Sequence, residues 1–356
     1  MKKHNYSAGP CILPQEVFEK SAQAILDFNN SGLSILEISH RSKDFVAVMD
    51  EARALALELL GLEGKGYQAL FLAGGASLEF IMAPYNLMKE GGKAAYLDSG
   101  TWASAAIKEA KSFGETVIVA SSKEDNYNYV PKGYTVPADA DYFHCTSNNT
   151  IFGTQMKEFP DLDIPMVCDM SSDIFSRNID FSKFGIIYAG AQKNMGPAGA
   201  TLVVVKEEIL GKNGRHIPSM LDYEKHIKAE SMYNTPPVFP VYASLLTLQW
   251  LKNLGGIAAI EKINNAKADL LYSEIDRNPL FVGTAVVEDR STMNATFLLD
   301  TPLHTDTFNA MLKEAGIIGL AGHRSVGGYR ASMYNAMPLE SVQVLVDVMK
   351  DLENKI

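Results

Sequence analysis

Residues 185–199, which read GIIYAGAQKNMGPAG, decide the fold of this chain and most of the chemistry expected of it. The apolar run at 186–189 lies between glycines, a pattern typical of a buried strand. A polar triplet at 192–194 (QKN) follows the strand, and residues 196–199 (GPAG) then mark a turn. We therefore expect Lys193 to lie at the end of a rigid strand, where other backbone can approach it closely.

A lysine at such a strand end has a chemistry that an exposed lysine lacks. A desolvated amine can be neutral near pH 7, so Lys193 could act as a nucleophile and form Schiff bases with carbonyl compounds. The alternative is a surface lysine in a turn, and this stretch alone does not decide between the two.

A second apolar run, at 164–168, ends in the carboxylate of Asp169. If the strands before Asp169 and Lys193 are neighbours, both side chains lie at one edge of the sheet, where α/β proteins bind ligands. A carboxylate and an amine that face one ligand are what pyridoxal phosphate requires, because the carboxylate keeps its ring nitrogen protonated and the amine carries its aldehyde. Asp169 could instead cap the turn that follows its strand.

A glycine-rich turn upstream suggests where a phosphate could bind. Residues 67–77 (YQALFLAGGAS) form an apolar run that leads into two glycines, and a helical pattern follows at 78–88. A strand, a glycine turn and a helix N-terminus together make an anion site, because free backbone N–H groups point at the anion. The spacing matches neither the nucleoside triphosphate loop nor the dinucleotide fingerprint, which disfavours both ligands.

Composition sets the broad class of the protein. The 356 residues, 47% of them hydrophobic, predict a soluble globular protein of two domains. The formal net charge of −10 argues against binding to nucleic acid or to an acidic membrane. The three cysteines are irregularly spaced, so we expect no disulfide framework, no metal site and a reducing compartment. Since no apolar leader or membrane span is evident, we expect a cytoplasmic protein.

Short apolar runs alternate with helical patterns as far as residue 205, which predicts an α/β fold with a mostly parallel sheet covered on both faces. We expect residues 1–15 to be an N-terminal arm, 16–256 a large domain and 257–356 a smaller α+β domain. The expected strands lie at 67–72, 94–97, 116–120, 141–145, 166–169, 186–189, 200–205, 293–299 and 329–333. The expected helices lie at 15–28, 43–60, 78–88, 102–113, 243–254, 257–276, 305–315 and 339–353.

Several longer motifs, in the same order along the chain, resemble the phosphoserine aminotransferase family of the fold-type I, class V aminotransferases. They are SAGP (7–10), EISHRSKDF (37–45), GTWA (100–103), YAGAQKNMGPAG (188–199), YNTPP (233–237) and GHRSVGGYRASMYNAMP (322–338). The resemblance covers nearly the whole chain. It implies a homodimer with shared active sites and pyridoxal phosphate bound through Lys193, with Asp169 at the ring nitrogen.

The resemblance also assigns three further side chains to the cofactor. It places Trp102 against the cofactor ring, Thr150 at the phenolic oxygen and Gln192 at the phosphate. From the residues alone, Trp102 could equally be a core side chain at a helix start, and Thr150 is more typical of a turn.

The phosphate site shows one departure from the resembled family. Ala76 and Ser77 stand where members of the family carry Gly-Arg, so backbone N–H groups remain but the arginine is missing. The resemblance also brings Asn234 and Thr235 to the phosphate from the neighbouring subunit, although both would otherwise be turn residues in a proline-rich loop.

Basic residues in two distant clusters are the candidates for substrate binding. Arginine suits bidentate recognition of carboxylate and phosphate groups. The resemblance assigns Arg330 to the substrate α-carboxylate. It assigns His323 and Arg324, together with His40 and Arg41 of the partner subunit, to the distal phosphate or γ-carboxylate. Each cluster alone would be interpreted as solvated charge.

The resemblance therefore implies amino transfer from L-glutamate to 3-phosphohydroxypyruvate, giving 2-oxoglutarate and O-phospho-L-serine. The phosphorylated threonine precursor of pyridoxal phosphate is an open second substrate. One alternative is a transaminase of small amino acids and glyoxylate, which would not need the second cationic cluster. A cysteine desulfurase is disfavoured because no cysteine follows Lys193. A non-catalytic anion-binding regulator would need neither Lys193 nor Asp169.

Overall fold

The computed structural model describes residues 3–356, and strands from the first two thirds of the chain form its main sheet. The strands are β1 (His4–Asn5), β2 (Tyr67–Leu72), β3 (Lys93–Asp98), β4 (Glu115–Ser121), β5 (Phe143–Thr146), β6 (Asn148–Asn149), β7 (Thr154–Gln155), β8 (Met166–Asp169), β9 (Ile186–Gly190), β10 (Thr201–Lys206), β11 (Phe281–Gly283), β12 (Asn294–Leu299), β13 (Ile317–Ile318) and β14 (Tyr329–Ser332). The helices are α1 (Gln15–Leu26), α2 (Lys43–Leu59), α3 (Ala76–Leu87), α4 (Thr101–Ala110), α5 (Tyr223–Lys228), α6 (Val238–Asn253), α7 (Gly256–Arg277), α8 (Thr305–Glu314) and α9 (Leu339–Lys355).

The main sheet has seven strands in the order β2-β10-β9-β8-β5-β3-β4. Strand β10 runs antiparallel to both of its neighbours, and the other pairs of adjacent strands are parallel. The prediction of a mostly parallel sheet is confirmed. Strands β5, β8 and β9 are adjacent, so their carboxyl ends meet at one edge.

Both faces of this sheet are covered, which explains why its inner strands are apolar without interruption. Alternate residues of the strands enter two hydrophobic clusters on opposite faces. On β8, for example, Cys168 packs with α2 and α6, whereas Val167 packs with α3 and α4. Asp169 continues the alternation, so its side chain points to the α3 and α4 face of the sheet.

The C-terminal part of the chain has a hydrophobic cluster of its own. It packs α7, α8 and α9 against the three-stranded sheet β11-β12-β14. Helix α7 spans both cores, since Ile257 and Ile260 lie in the cluster of the main sheet and Leu271 and Ile275 lie in the C-terminal cluster. The domain boundary expected near residue 256 falls at the start of α7 and stays a prediction.

The N-terminal arm contains a strand that the sequence did not predict. Strand β1 pairs in parallel with β13, and Tyr6 is buried in the C-terminal cluster. The pairing joins segments more than three hundred positions apart, so no local pattern could reveal it. None of the helices within residues 3–356 is long and apolar enough to cross a membrane.

The segment between β10 and α7 also differs from expectation. Helix α6 begins at Val238 rather than at 243, because Pro240 lies in the first turn, where no intrahelical N–H bond is lost. The short helix α5 and the strands β6, β7, β11 and β13 were not predicted. Each of these strands has only two or three residues, too few to show a periodicity.

Candidate active site

A cavity of about 400 Å³ lies at the edge of the main sheet where β5, β8 and β9 end. It gathers most of the residues that the sequence singled out, although they come from distant parts of the chain. The predicted residues that line it are Ala76, Ser77, Trp102, Thr150, Asp169, Gln192, Lys193, His323 and Arg330.

Lys193 lies in the turn that follows β9, and its amine is held by hydroxyl groups. Lys193 Nζ donates to Thr150 Oγ1 at 3.2 Å and to Ser172 Oγ at 3.1 Å, and these two hydroxyls share a hydrogen bond of 2.5 Å. Burial lowers the pKa of the Lys193 amine, and Asp169 opposes this by favouring the charged form. The amine is therefore closer to its neutral, nucleophilic form than an exposed lysine is. Ser172 was missed by the sequence analysis.

The arm packs directly on the lysine turn. A Cβ atom at Gly9 would lie 3.3 Å from the carbonyl oxygen of Gln192 and 3.4 Å from Cγ of Lys193. Gly9 also has a φ of 143°, a conformation that other residues rarely adopt. Cys11 Sγ donates to the carbonyl oxygen of Lys193 at 2.7 Å, so the arm fixes this turn on its outer side.

Asp169 ends β8 inside the cavity and is only 5% exposed. Its Oδ1 accepts the backbone N–H of Ser171 at 2.9 Å, and its Oδ2 makes no hydrogen bond within residues 3–356. Burial raises the pKa of Asp169, whereas Lys193 and Ser171 favour the carboxylate. One carboxylate oxygen is thus available to a ligand that carries a proton.

A pair of buried polar side chains lies on the same sheet face as Asp169. Tyr188 is in register with Asp169 on the neighbouring strand, and its hydroxyl bonds His144 Nε2 at 2.8 Å. Burial lowers the pKa of His144 to about 3, so the ring is neutral. Sequence reasoning missed this pair, because a tyrosine inside an apolar strand carries no signal of its role.

The N-terminus of α3 forms a cradle for an anion at one end of the cavity. Gly75 precedes the helix with a φ of 71°, and no side chain caps the first turn. The first backbone N–H groups of a helix have no intrahelical partner, and Ala76 and Ser77, whose N–H groups are among these, line the cavity. The side chain of Gln192 lines the same cavity.

Trp102 supplies a flat apolar wall. It lies in the first turn of α4 and remains 39% exposed, which is unusual for so large an apolar side chain. A Cβ atom at Gly100 would collide with the side chain of Asn149, so the chain can approach this closely only with glycine. An exposed indole beside a carboxylate and an amine suits a planar, charged ligand.

Arg330 brings an unpaired positive charge into the cavity from β14 of the C-terminal sheet. Its Nε atom is buried without a hydrogen-bond partner, and none of the salt bridges in residues 3–356 includes Arg330. Burial lowers the pKa of its guanidinium, and Tyr334 partly opposes this. A half-buried guanidinium with an unpaired, buried Nε calls for an anionic ligand.

Five predicted residues do not reach this cavity within one protomer. His40 and Arg41 lie in the turn before α2, Asn234 and Thr235 lie in the loop before α6, and Arg324 follows His323 without lining the cavity. All except the half-buried His40 are exposed. Their assignment to the site stays a prediction, and for the first four it requires a second copy of the chain.

The residues in the cavity fit pyridoxal phosphate. The helix N-terminus suits its phosphate, the free oxygen of Asp169 its protonated ring nitrogen, the indole its ring and the amine of Lys193 its aldehyde. Each group lies in the same cavity, so no rearrangement of the main sheet is needed to bring them together.

Comparisons with known proteins agree with this geometry. A model of the aminotransferase class-V family matches residues 4–345. The chain is 84% identical to the phosphoserine aminotransferase of Flavobacterium psychrophilum, with 100% of each sequence covered. It matches the solved phosphoserine aminotransferase of Bacillus circulans with a TM-score of 0.96 and 44% identity, over 99% of each chain. It matches a PLP-bound phosphoserine aminotransferase of Trichomonas vaginalis with a TM-score of 0.93 and 37% identity, covering 98% of this chain and 100% of that one.

Proposed function

The chain belongs to the aminotransferase class-V family, and from that premise we propose that it transfers the amino group of L-glutamate to 3-phosphohydroxypyruvate. The products are 2-oxoglutarate and O-phospho-L-serine. The observation that carries this function is the 84% identity, over the full length, to a relative named phosphoserine aminotransferase. The family predicted from the motifs is confirmed, and pyridoxal phosphate is the cofactor.

The residues that line the cavity support an assignment of the cofactor's binding residues. Ala76, Ser77 and Gln192 hold the phosphate, Trp102 lies against the ring, and Asp169 accepts a hydrogen bond from the protonated ring nitrogen and keeps it protonated. Bound pyridoxal phosphate supplies an electron sink for the substrate's Cα and carries the amino group between the two substrates. Because positions 76 and 77 carry no arginine, backbone N–H groups and the helix dipole provide most of the attraction for the phosphate.

Lys193 has two tasks. Its amine would hold the cofactor through the aldehyde carbon, with loss of water, and, once displaced by the substrate's amino group, would accept and return the proton of the substrate's Cα. The lowered pKa suits both tasks, because a neutral amine can attack a carbonyl and can accept a proton. Thr150 and Ser172 hold Nζ in place and leave it free of any salt bridge in the described part of the chain.

The substrate side of the cavity is cationic. Arg330 binds the α-carboxylate, and His323, which lines the same cavity, faces the second anion of the substrate. Glutamate and O-phosphoserine each carry two anions on a short carbon chain, so one pocket can serve both half-reactions. The phosphorylated threonine derivative has the same pattern of charges and is included as a second substrate in the test below.

A homodimer would complete each site. His40, Arg41, Asn234 and Thr235 lie in exposed loops outside the cavity of their own protomer, as expected of residues that serve a partner. Apolar side chains that precede the first of these loops are also exposed, with Leu36 at 63% exposure. An exposed apolar patch rimmed by polar residues is typical of a protein interface.

A reducing compartment, the cytoplasm, suits the buried cysteines. Cys145 and Cys168 lie opposite each other on β5 and β8 with their sulfur atoms 3.6 Å apart and no disulfide between them. Adjacent free thiols persist where glutathione and thioredoxin keep them reduced.

Single-turnover spectroscopy of the purified enzyme tests the proposed reaction. The absorbance band of the bound cofactor would be followed after addition of glutamate, O-phosphoserine, 4-phosphohydroxythreonine, serine or alanine to separate samples. Rapid bleaching by glutamate and O-phosphoserine, with little change from serine or alanine, is expected from the cationic pocket. Bleaching by serine or alanine instead would establish the alternative transaminase of small amino acids. If the wild-type protein showed no absorbance band that borohydride abolishes, the proposal that it is a pyridoxal-phosphate enzyme would be excluded.

A further inference from the structure

Glu79 is a buried carboxylic acid in the first turn of α3, the helix whose N-terminus faces the cavity. Its Oε2 accepts a hydrogen bond of 2.5 Å from the Tyr223 hydroxyl. Its Oε1 is buried and has no hydrogen-bond partner, and none of the salt bridges formed by residues 3–356 includes Glu79. A buried carboxylate with an unpaired oxygen is costly, whereas the neutral acid is not.

The elements around Glu79 offer no positive charge to hold it ionised. The ionisable groups that face it are Tyr223 from α5 and Tyr188 from β9, and both are neutral at physiological pH. Helix α4, which also packs on α3, brings no ionisable group that shifts the pKa of Glu79. Burial raises this pKa to about 7, against the hydrogen bond from Tyr223, which lowers it. At neutral pH, Glu79 is therefore present in both its protonated and its ionised form.

Two negative charges would compete for one helix N-terminus. The N–H groups of Ala76 and Ser77 attract the cofactor's phosphate, which carries close to two charges above a pKa of about 6. An ionised Glu79, in the same helical turn, would also be stabilised by the positive end of the helix dipole. Its charge would repel the phosphate, and the protein interior would screen this repulsion only weakly.

We propose that Glu79 takes up a proton when the cofactor's phosphate binds at the N-terminus of α3, and that this proton makes its own contribution to the pH dependence of cofactor affinity. The inference rests on the proposed function, because it requires pyridoxal phosphate to bind in this cavity. It makes Glu79 a positioning residue, which acts on the cofactor through the charge of the helix end rather than by contact.

The direction of the effect follows from the ionisation of Glu79 in the free protein. Well below pH 7 the acid is already protonated, so binding takes up little or no proton there. Above pH 7 the phosphate favours protonation of Glu79, and this contribution lowers the affinity by up to about tenfold per pH unit.

Calorimetric titration of the cofactor-free protein with pyridoxal phosphate measures this proton directly. Titrations at pH 8.0 in buffers with different ionisation enthalpies give the number of protons taken up. We expect wild type to take up more protons than Glu79→Gln, by up to one proton, since most of Glu79 is ionised in the free protein at that pH. Proton changes at Lys193 and at the phosphate are common to both proteins and cancel in the difference.

Pyridoxal, which lacks the phosphate, is the matched control ligand and should give no difference between the two proteins. Equal proton uptake by wild type and Glu79→Gln would overturn the inference, as would an equal difference with pyridoxal. Failure of every variant to bind pyridoxal phosphate would instead contradict the proposed function.

Tyr223→Phe provides a second variant that keeps the carboxylic acid. Loss of the hydrogen bond from Tyr223 should raise the pKa of Glu79 further, so less of it is ionised in the free protein. The variant should therefore take up fewer protons than wild type at pH 8.0, and its affinity should begin to fall at a higher pH. Unchanged uptake in Tyr223→Phe would count against Glu79 as the acceptor of the proton, even if Glu79→Gln failed to fold.

Discussion

Replacing Arg330 with methionine should stabilise the unliganded protein and damage the enzyme. The change keeps most of the aliphatic stem and removes a guanidinium whose Nε is buried without a partner. One unpaired buried donor costs about 1–3 kcal/mol, so Arg330→Met should raise the free energy of unfolding by about that amount. The lowered pKa of Arg330 has the same cause, since burial disfavours its charge.

Substrate binding should change in the opposite direction. The guanidinium is the group proposed to bind the α-carboxylate, and loss of one partner of a buried charged contact costs about 2–5 kcal/mol. That range corresponds to a roughly 30- to 5,000-fold weaker interaction with both glutamate and O-phosphoserine. The absorbance band of the bound cofactor should be unchanged, because Arg330 is not among the residues assigned to the cofactor.

Two measurements on the same preparation test the proposed role of Arg330. Thermal unfolding of the cofactor-free protein gives the change in stability, and half-reaction titrations with each amino acid give the change in affinity. Arg277→Met is the matched control, because Arg277 Nε donates to Glu274 at 3.0 Å and its other nitrogens bond Glu274 and Glu353, so this variant should lose stability without losing affinity. A lower melting temperature together with unchanged substrate affinity in Arg330→Met would refute the proposed role.

Three further changes test other parts of the molecule. When inactive Lys193→Ala and Arg41→Ala subunits are mixed, each heterodimer should contain one complete active site and regain activity. If activity did not recover after confirmed subunit exchange, the proposal of shared sites would be contradicted. Asp169→Asn should retain the cofactor and lower single-turnover rates by roughly 10²- to 10³-fold, because an amide does not stabilise the protonated ring nitrogen as a carboxylate does. Burial lowers the pKa of Lys267 to about 7, so the unfolded chain binds more protons than the folded one between pH 7 and about 10. The free energy of unfolding should therefore rise with pH in that window by up to about 1.4 kcal/mol per unit in wild type but not in Lys267→Met, and equal slopes in denaturant titrations would contradict this.

The main sheet could be predicted because its strands are buried on both faces. Such strands are continuous apolar runs, and glycines or polar residues end them sharply, as residues 185–199 show. The positions of Asp169 and Lys193 followed from the same rule, since each comes directly after a strand and the carboxyl ends of adjacent parallel strands meet. The α/β fold expected from this pattern is confirmed by the match to a solved structure with a TM-score of 0.96.

What the sequence could not show depends on contacts between distant segments. Ser172 holds the amine of Lys193 only because the turn after β8 lies beside the turn after β9. His144 and Tyr188 meet because β5 and β9 both flank β8, an order that no local pattern specifies. The loop at 233–237 and the turn at 39–42 lie outside the cavity of one protomer, so their predicted roles depend on a partner that a single chain does not contain.

The charges of the cavity explain why an acidic protein can bind anions. The chain carries a net charge of −10, yet the cavity contains Lys193 and Arg330 against one carboxylate, that of Asp169. Burial shifts the pKa of each of these groups toward the neutral form, so their charges are incompletely compensated without a ligand. Anions that bind here would offset the free-energy cost of these uncompensated charges. They should stabilise the fold by an amount that increases with their affinity. Because buried charges are screened far less than exposed ones, added salt should change the affinity of such anions only slightly.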